Sequence, residues 1–215
     1  MEVELCANFQ HPFTCLVSGM TQSGKSEWIR RLLQSDKIKP VPNRIVYCYG
    51  ESIEFDKYNR EKIEFHRGLP RKELLDSFDS SVSNLLVLDD LMQEIDTAGD
   101  MISSLFTRKS HHRNLSVILS VQNLFHQNRY FRTISLNSSY IVIFKNPRDA
   151  AQIDHLSRQM FPRRGEIVRE AFKQATERPH GYLLIDFKQN TPDIARLRTN
   201  IFEGEGDGCE VFVPI

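Results

Sequence analysis

The chain has no excess of either charge: 28 Lys and Arg residues balance 28 Asp and Glu. This argues against a broad, charge-driven coat for nucleic acid and restricts any DNA contact to local loops. Cysteine is scarce. The four residues, Cys6, Cys15, Cys48 and Cys209, lack the paired spacing of a metal site and read as reduced intracellular thiols. No stretch approaches the ~18 apolar residues of a membrane span, and no charged-then-apolar leader opens the chain. A soluble, unsecreted protein without a membrane partner is expected. Internal repeats are missing, and the one biased tract is the acidic, Gly-rich run at 203–208. At 215 residues the chain is long enough for one domain whose sheet is covered on both faces.

What is present is concentrated near the amino end. Gly19, Met20, Thr21, Gln22, Ser23, Gly24, Lys25 and Ser26 form a Walker A phosphate loop. An apolar strand, residues 13–17, runs into the loop. A helix leaves it with Trp28, Ile29, Leu32 and Leu33 on one face. Gly19 and Gly24 let the backbone curl so that successive N–H groups point at a β-phosphate, assisted by the helix N-terminus. Lys25 is expected to reach the β- and γ-phosphates, and Ser26 to offer its hydroxyl to Mg²⁺. ATP and Mg²⁺ are therefore the expected cofactors. No other metal is indicated, since His111 and His112 lack a second ligand pair and read as loop residues.

Downstream, Leu85, Leu86, Val87 and Leu88 end in Asp89 and Asp90, a Walker B pattern. A continuous apolar run suits a parallel strand covered on both faces, with its carboxyl end opening onto the phosphate loop. Asp89 is then placed to hold Mg²⁺ through water, and Asp90 to orient and deprotonate the attacking water. A third apolar run, Leu115–Val121, ends in Gln122 and Asn123. Gln122 is a candidate sensor of the γ-phosphate or the lytic water, though an amide also simply caps a strand end. Arg108 and Arg113, on the segment before this strand, are candidates for a finger reaching a neighbouring subunit, against the alternative of a solvated basic turn. Arg129 and Arg132 flank Tyr130 and Phe131 and suit either a DNA-contacting loop or a packed helix with exposed arginines.

Strands and helices alternate, which reads as α/β: a P-loop NTPase with a mostly parallel central sheet flanked by helices. Further strands are expected at 44–49, 63–66, 82–88, 140–144 and 182–187, with helices around Ile153 and Leu156 and around Val168 and Ala171. Pro40 and Pro42 are expected to end the helix after the phosphate loop. At least one strand lies in sequence between Walker A and Walker B, as in additional-strand ATPases. Ala195, Arg196, Leu197, Arg198 and Thr199 alternate as on an edge strand. The domain is set at 1–202, followed at 203–215 by a flexible linker and a short apolar tail, Val211, Phe212 and Val213, read as frayed or docked on a partner.

Taken together, these residues resemble the FtsK/HerA-superfamily packaging ATPases of double-stranded DNA viruses, above all the short versions in polinton (Maverick) elements and adintoviruses. The resemblance spans nearly the whole chain. It rests on residues 17–26, 45–51 and 88–92, on 110–114 through 122–125, and on 132–137 with 144–149. It implies an RecA-like fold, a homo-oligomeric ring around double-stranded DNA, ATP-driven translocation into a preformed capsid through a capsid or portal vertex protein, and a glutamine after the sensor strand that matches Gln122. An intracellular site, the host nucleus or the place of viral assembly, is implied with it. Two other classes share the Walker A loop: a P-loop nucleotide kinase, for which Arg163 and Arg164 are the lid candidates, and a non-hydrolysing, nucleotide-switched binding module.

Overall fold

The computed structural model describes residues 8–50, 57–58, 62–109, 113–124, 129–148 and 151–213. Its chain order is β1 (Phe9–Gln10), β2 (Thr14–Ser18), α1 (Lys25–Gln34), β3 (Ile38–Lys39), β4 (Arg44–Tyr49), β5 (Ile63–Arg67), α2 (Lys72–Asp76), β6 (Asn84–Asp89), α3 (Met92–Ser104), β7 (Leu115–Val121), α4 (Arg129–Leu136), β8 (Tyr140–Phe144), α5 (Ala151–Met160), α6 (Glu166–Ala175), β9 (Tyr182–Asp186), β10 (Leu197–Thr199) and β11 (Glu210–Phe212).

One sheet of nine described strands runs β11-β10-β9-β8-β2-β7-β6-β4-β5, and a small parallel pair, β1 and β3, lies apart. From β8 to β5 every neighbouring pair is parallel. From β8 to β11 every pair is antiparallel. Strand β7, which leads to Gln122, lies between β2, which runs into the loop at 19–26, and β6, which ends in Asp89. One strand therefore separates the two motifs in the sheet, the arrangement that an additional-strand ATPase requires.

The central strands are apolar on both faces because both are covered. Cys15 and Val17 of β2 point to a layer with Trp28, Ile29 and Leu32 of α1 and with Ile201 and Phe202. Leu16 points to the opposite layer, where Ile102 of α3, Ile134 of α4, Leu156 of α5 and Val168 of α6 pack. That alternation along one strand is the two-residue period of a pleated backbone.

Several details differ from the sequence expectation. Helix α1 ends at Gln34, before either proline, with the Ser35 N–H bonded back to Arg31 and Leu32 carbonyls. Strand β10 is not an edge, because β11 pairs with it, Leu197 opposite Phe212. Val211 and Phe212 thus complete the sheet instead of fraying. Glu205, in the stretch read as a linker, accepts from Arg31 of α1 and from the Tyr182 hydroxyl at 2.8 Å. Cys209 is disulfide-bonded, which corrects the reading of it as a reduced thiol, whereas Cys15 and Cys48 are free and buried. Among the described residues no helix is long and apolar enough to cross a membrane.

Candidate phosphate-loop active site

The parallel half of the sheet brings the carboxyl ends of β2, β6 and β7 to one edge, and the motif residues gather there. Gly19 N–H donates to Val121 O at 3.1 Å, tying the start of the loop to the end of β7 just before Gln122. The loop tightens through Ser23 N–H to Met20 O, 3.1 Å, with positive φ at Gln22 (64°) and Gly24 (110°). Gly19 is required by crowding, since a Cβ there would sit 2.7 Å from Phe144 Cβ and 2.5 Å from Ser23 Oγ.

Lys25 is buried at the first turn of α1, and its ammonium donates to Gly19 O at 2.7 Å and Met20 O at 3.0 Å. Burial lowers its pKa, while the nearby Asp89 and Asp90 charges act to raise it. The three charged motif residues are thus within electrostatic reach of one another. Ser26 and Thr21 are exposed at the loop mouth.

The two Walker B acids have different surroundings. Asp89 is 2% exposed, and both carboxylate oxygens accept: Oδ2 from the Tyr47 hydroxyl at 2.7 Å, Oδ1 from the Ser120 hydroxyl. Burial first, then the Asp89 charge, pushes the Tyr47 pKa well up and keeps it a donor. Asp90 is exposed and lies in the left-handed region, φ 53°. Its N–H donates to Ser120 Oγ at 3.0 Å. Gly50 makes room for this turn: a Cβ on Gly50 would lie 2.1 Å from the Asp90 carbonyl oxygen. Tyr47 and Gly50 enter the sequence reading only within the 45–51 stretch of the resemblance, and Ser120 only within the run 115–121, none of them with a role of its own. The pairing register was needed to bring them together.

Gln122 is exposed, and its backbone N–H points at Met92 Sδ, 3.0 Å away. It stands at the same edge as Asp90. Arg113 does not. It precedes β7, at the amino end of the parallel strands, and donates within the same chain to the Leu75 carbonyl and to Asp76 Oδ1, the latter at 2.7 Å. Arg108 falls in a single π-helical turn, Leu105–Lys109, and its side chain lies outside what the structure describes, as do His111 and His112. Phe131 is buried in the core, and Tyr130 packs on Gly99, where a Cβ would meet its ring at 2.1 Å. The α4 aromatics therefore serve packing, with Arg132 exposed beside them. Arg163 and Arg164 are exposed in the loop between α5 and α6.

A triphosphate and Mg²⁺ fit these residues. Lys25 offers a buried cation whose contacts are carbonyl oxygens, so its charge is not spent on an ion pair. The Ser23 hydroxyl, buried against Gly19, has no hydrogen-bond partner. Each Asp89 oxygen, with one hydroxyl bound, keeps lone-pair capacity for a metal-bound water.

No family model and no curated protein matches the chain. Among solved structures it is similar to the genome packaging NTPase B204 from Sulfolobus turreted icosahedral virus 2. In that protein's complex with sulfate the TM-score is 0.52 at 14% identity, covering 95% of this chain and 97% of that one. With ATP-gammaS the values are 0.50, 13%, 95% and 98%. It is likewise similar to B204, the DNA-packaging ATPase from Sulfolobus Turreted Icosahedral Virus, with TM-score 0.51, 13% identity and coverage of 95% and 99%. At such identity the likeness defines the fold alone: α/β, with a large, mostly parallel sheet flanked by helices, the fold of those packaging NTPases.

Proposed function

We propose that this chain is an ATP-driven double-stranded DNA translocase that packages a viral or virus-like genome into a capsid, of the polinton/adintovirus type. The observation that carries the reading is the convergence of Lys25, Asp89, Asp90 and Gln122 at one sheet edge, on a fold shared with viral packaging NTPases. In the hydrolytic step the oxygen of a water attacks the γ-phosphorus, the bond to the bridging oxygen breaks, and Asp90 takes the proton while Gln122 orients the water. Lys25 contacts the β- and γ-phosphates. Ser26, with Asp89 acting through water, would hold Mg²⁺, and the ion would supply neutralising charge to those phosphates.

One cation is few for the charge that develops on the γ-phosphoryl group. Trans arginines in such chemistry are worth ~10³ to 10⁵ in rate. The reading therefore includes a homo-oligomeric ring in which an arginine crosses to the neighbour's site. Arg113 is engaged by Asp76, so Arg108 is the first candidate and Arg113 the second. The ring encloses duplex DNA, docks on a capsid or portal vertex protein, and works in the host nucleus or at the site of assembly. The zero net charge favours local phosphate contacts, for which exposed Arg132 on α4 is a candidate.

The test is ATP turnover with and without long duplex DNA, followed by subunit mixing. Turnover per subunit is expected to rise with protein concentration and with DNA. An Arg108→Ala, Arg113→Ala subunit keeps a working pocket, and a Lys25→Ala subunit keeps its fingers, so mixed rings are expected to recover part of the activity each lacks alone. A dilute monomer turning over at full rate, together with mixtures that stay inactive in demonstrated rings, refutes the shared site. Phosphate transfer to nucleoside monophosphates would make the chain a kinase instead.

A further inference from the structure

Two clefts open beside the phosphate loop and share one wall, His180. The first, about 330 Å³, is lined by Met20, Gln22 and Ser23 on one side and by Lys145, Pro147 and His180 on the other. The second, about 280 Å³, lies at the first turn of α1 beside Gly24, Trp28 and Phe144. A space of 330 Å³ is at the low end for ligand sites, the scale of one ring system, not of a whole nucleotide.

The way His180 is held is unusual. Gly181 N–H donates to Arg178 O at 3.0 Å, closing a turn with Pro179 and His180 at its centre. Proline first and positive φ second is the type II pattern, which favours Gly or Asn at the second central position. Here that position holds a histidine at φ 60°. Its ring lies over Gly24, where a Cβ would come within 3.4 Å of His180 Cβ and Nδ1. Nδ1 lies 3.1 Å from Ser23 O. A carbonyl only accepts, so Nδ1 carries the proton, and in the neutral ring Nε2 is left as an acceptor. A side chain kept in a backbone region that disfavours it, exposed, and hydrogen-bonded to the phosphate loop is poorly explained by packing.

We infer that the cleft between His180 and Pro147 is the nucleobase subsite of the phosphate-loop site. The loop fixes the β-phosphate, and the base lies on the loop's outer flank against the imidazole face and the prolyl ring. The Lys145 ammonium, a donor only, meets ring-nitrogen or carbonyl acceptors on the base edge. The inference rests on the nucleotide reading above and deepens it.

The test compares two probes, ATP·Mg²⁺ and inorganic tripolyphosphate·Mg²⁺, on the full chain by calorimetry. His180→Gly keeps the backbone conformation and removes the ring, and Pro147→Ala removes the opposite wall without touching the phosphate loop. Stacking on one base is worth enough that His180→Gly is expected to weaken ATP binding about tenfold. Pro147→Ala is expected to weaken it severalfold, with tripolyphosphate affinity unchanged in both variants. Equal losses for both probes would make His180 a brace of the phosphate loop and overturn the subsite, as would unchanged ATP binding in both variants. Failure of the unmodified protein to bind either probe would instead remove the nucleotide reading itself.

Discussion

Between β8 and β5 the strands run parallel, and the polar residues that matter stand at one edge, where Lys25, Asp89 and Asp90 interact. Between β8 and β11 they alternate in direction, and the polar residues divide between both edges. His180 and Tyr182 stand beside the phosphate loop, whereas Asp186 and Arg198 form a buried pair at 3.3 Å at the far end. Parallel strands deliver every carboxyl end to the same rim, so chemistry collects there. Antiparallel strands cannot do this, and their half of the molecule contributes walls and anchors. Two sheets' worth of function therefore share one hydrogen-bonded layer.

Substitutions on the parallel side are expected to remove turnover and spare the fold. The largest effect is that of Lys25→Ala, for which hydrolysis falls to background in a steady-state assay while the circular dichroism spectrum is retained, because the ammonium touches loop carbonyls and not the core. Near-normal turnover would detach this loop from catalysis. Next, Asp90→Asn keeps ATP·Mg²⁺ binding and slows hydrolysis at least ~100-fold, as expected on losing a general base. Equal loss of binding and turnover in Asp89→Asn and Asp90→Asn would make the acids a joint metal site. Gly50→Ala comes third. Its methyl has to displace the Asp90 carbonyl, and a displacement of about 1 Å at a catalytic group costs up to ~100-fold. Single-turnover rates are expected to fall about 10- to 100-fold at unchanged nucleotide affinity. A loss of affinity equal to the loss of rate would show general disruption of the loop.

On the antiparallel side the balance reverses. Asp186→Ala leaves the Arg198 guanidinium buried with its Nε and Nη1 already unpartnered. Breaking one side of such a pair costs about 3–5 kcal/mol of stability. Urea unfolding is expected to shift accordingly, with the hydrolysis rate of the folded fraction unaltered. A large rate loss in this variant at full stability would erase the contrast between the halves.

Much of the parallel half was legible from the residues alone. β4, β7 and β8 match the expected strands residue for residue, because each is a short, largely apolar run of the kind that suits a strand covered on both faces. The loop at 19–26 and the acids Asp89 and Asp90 stand out in the sequence because each is a local pattern, and the fold brings Lys25 within electrostatic reach of both acids. The support beneath them was not legible. Tyr47 and Ser120 reach Asp89 from 42 and 31 positions away, and Gly50 meets Asp90 across a strand pair. No local pattern encodes such contacts. β11 was missed for another reason: three residues beyond a glycine-rich turn carry too little periodicity to be told from a tail, and their strand character comes from pairing with β10.

The Ser120 hydroxyl has a consequence of its own. One oxygen on the middle strand donates to the carboxylate of Asp89 and accepts the amide proton of Asp90, so the two consecutive acids hang from a single pivot. A hydroxyl has one proton to give and two lone pairs. It can therefore hold both acids only while β6 and β7 keep their alignment. Any sliding of those strands releases both acids at once, so the register between two neighbouring strands and the placement of two carboxylates are one and the same variable.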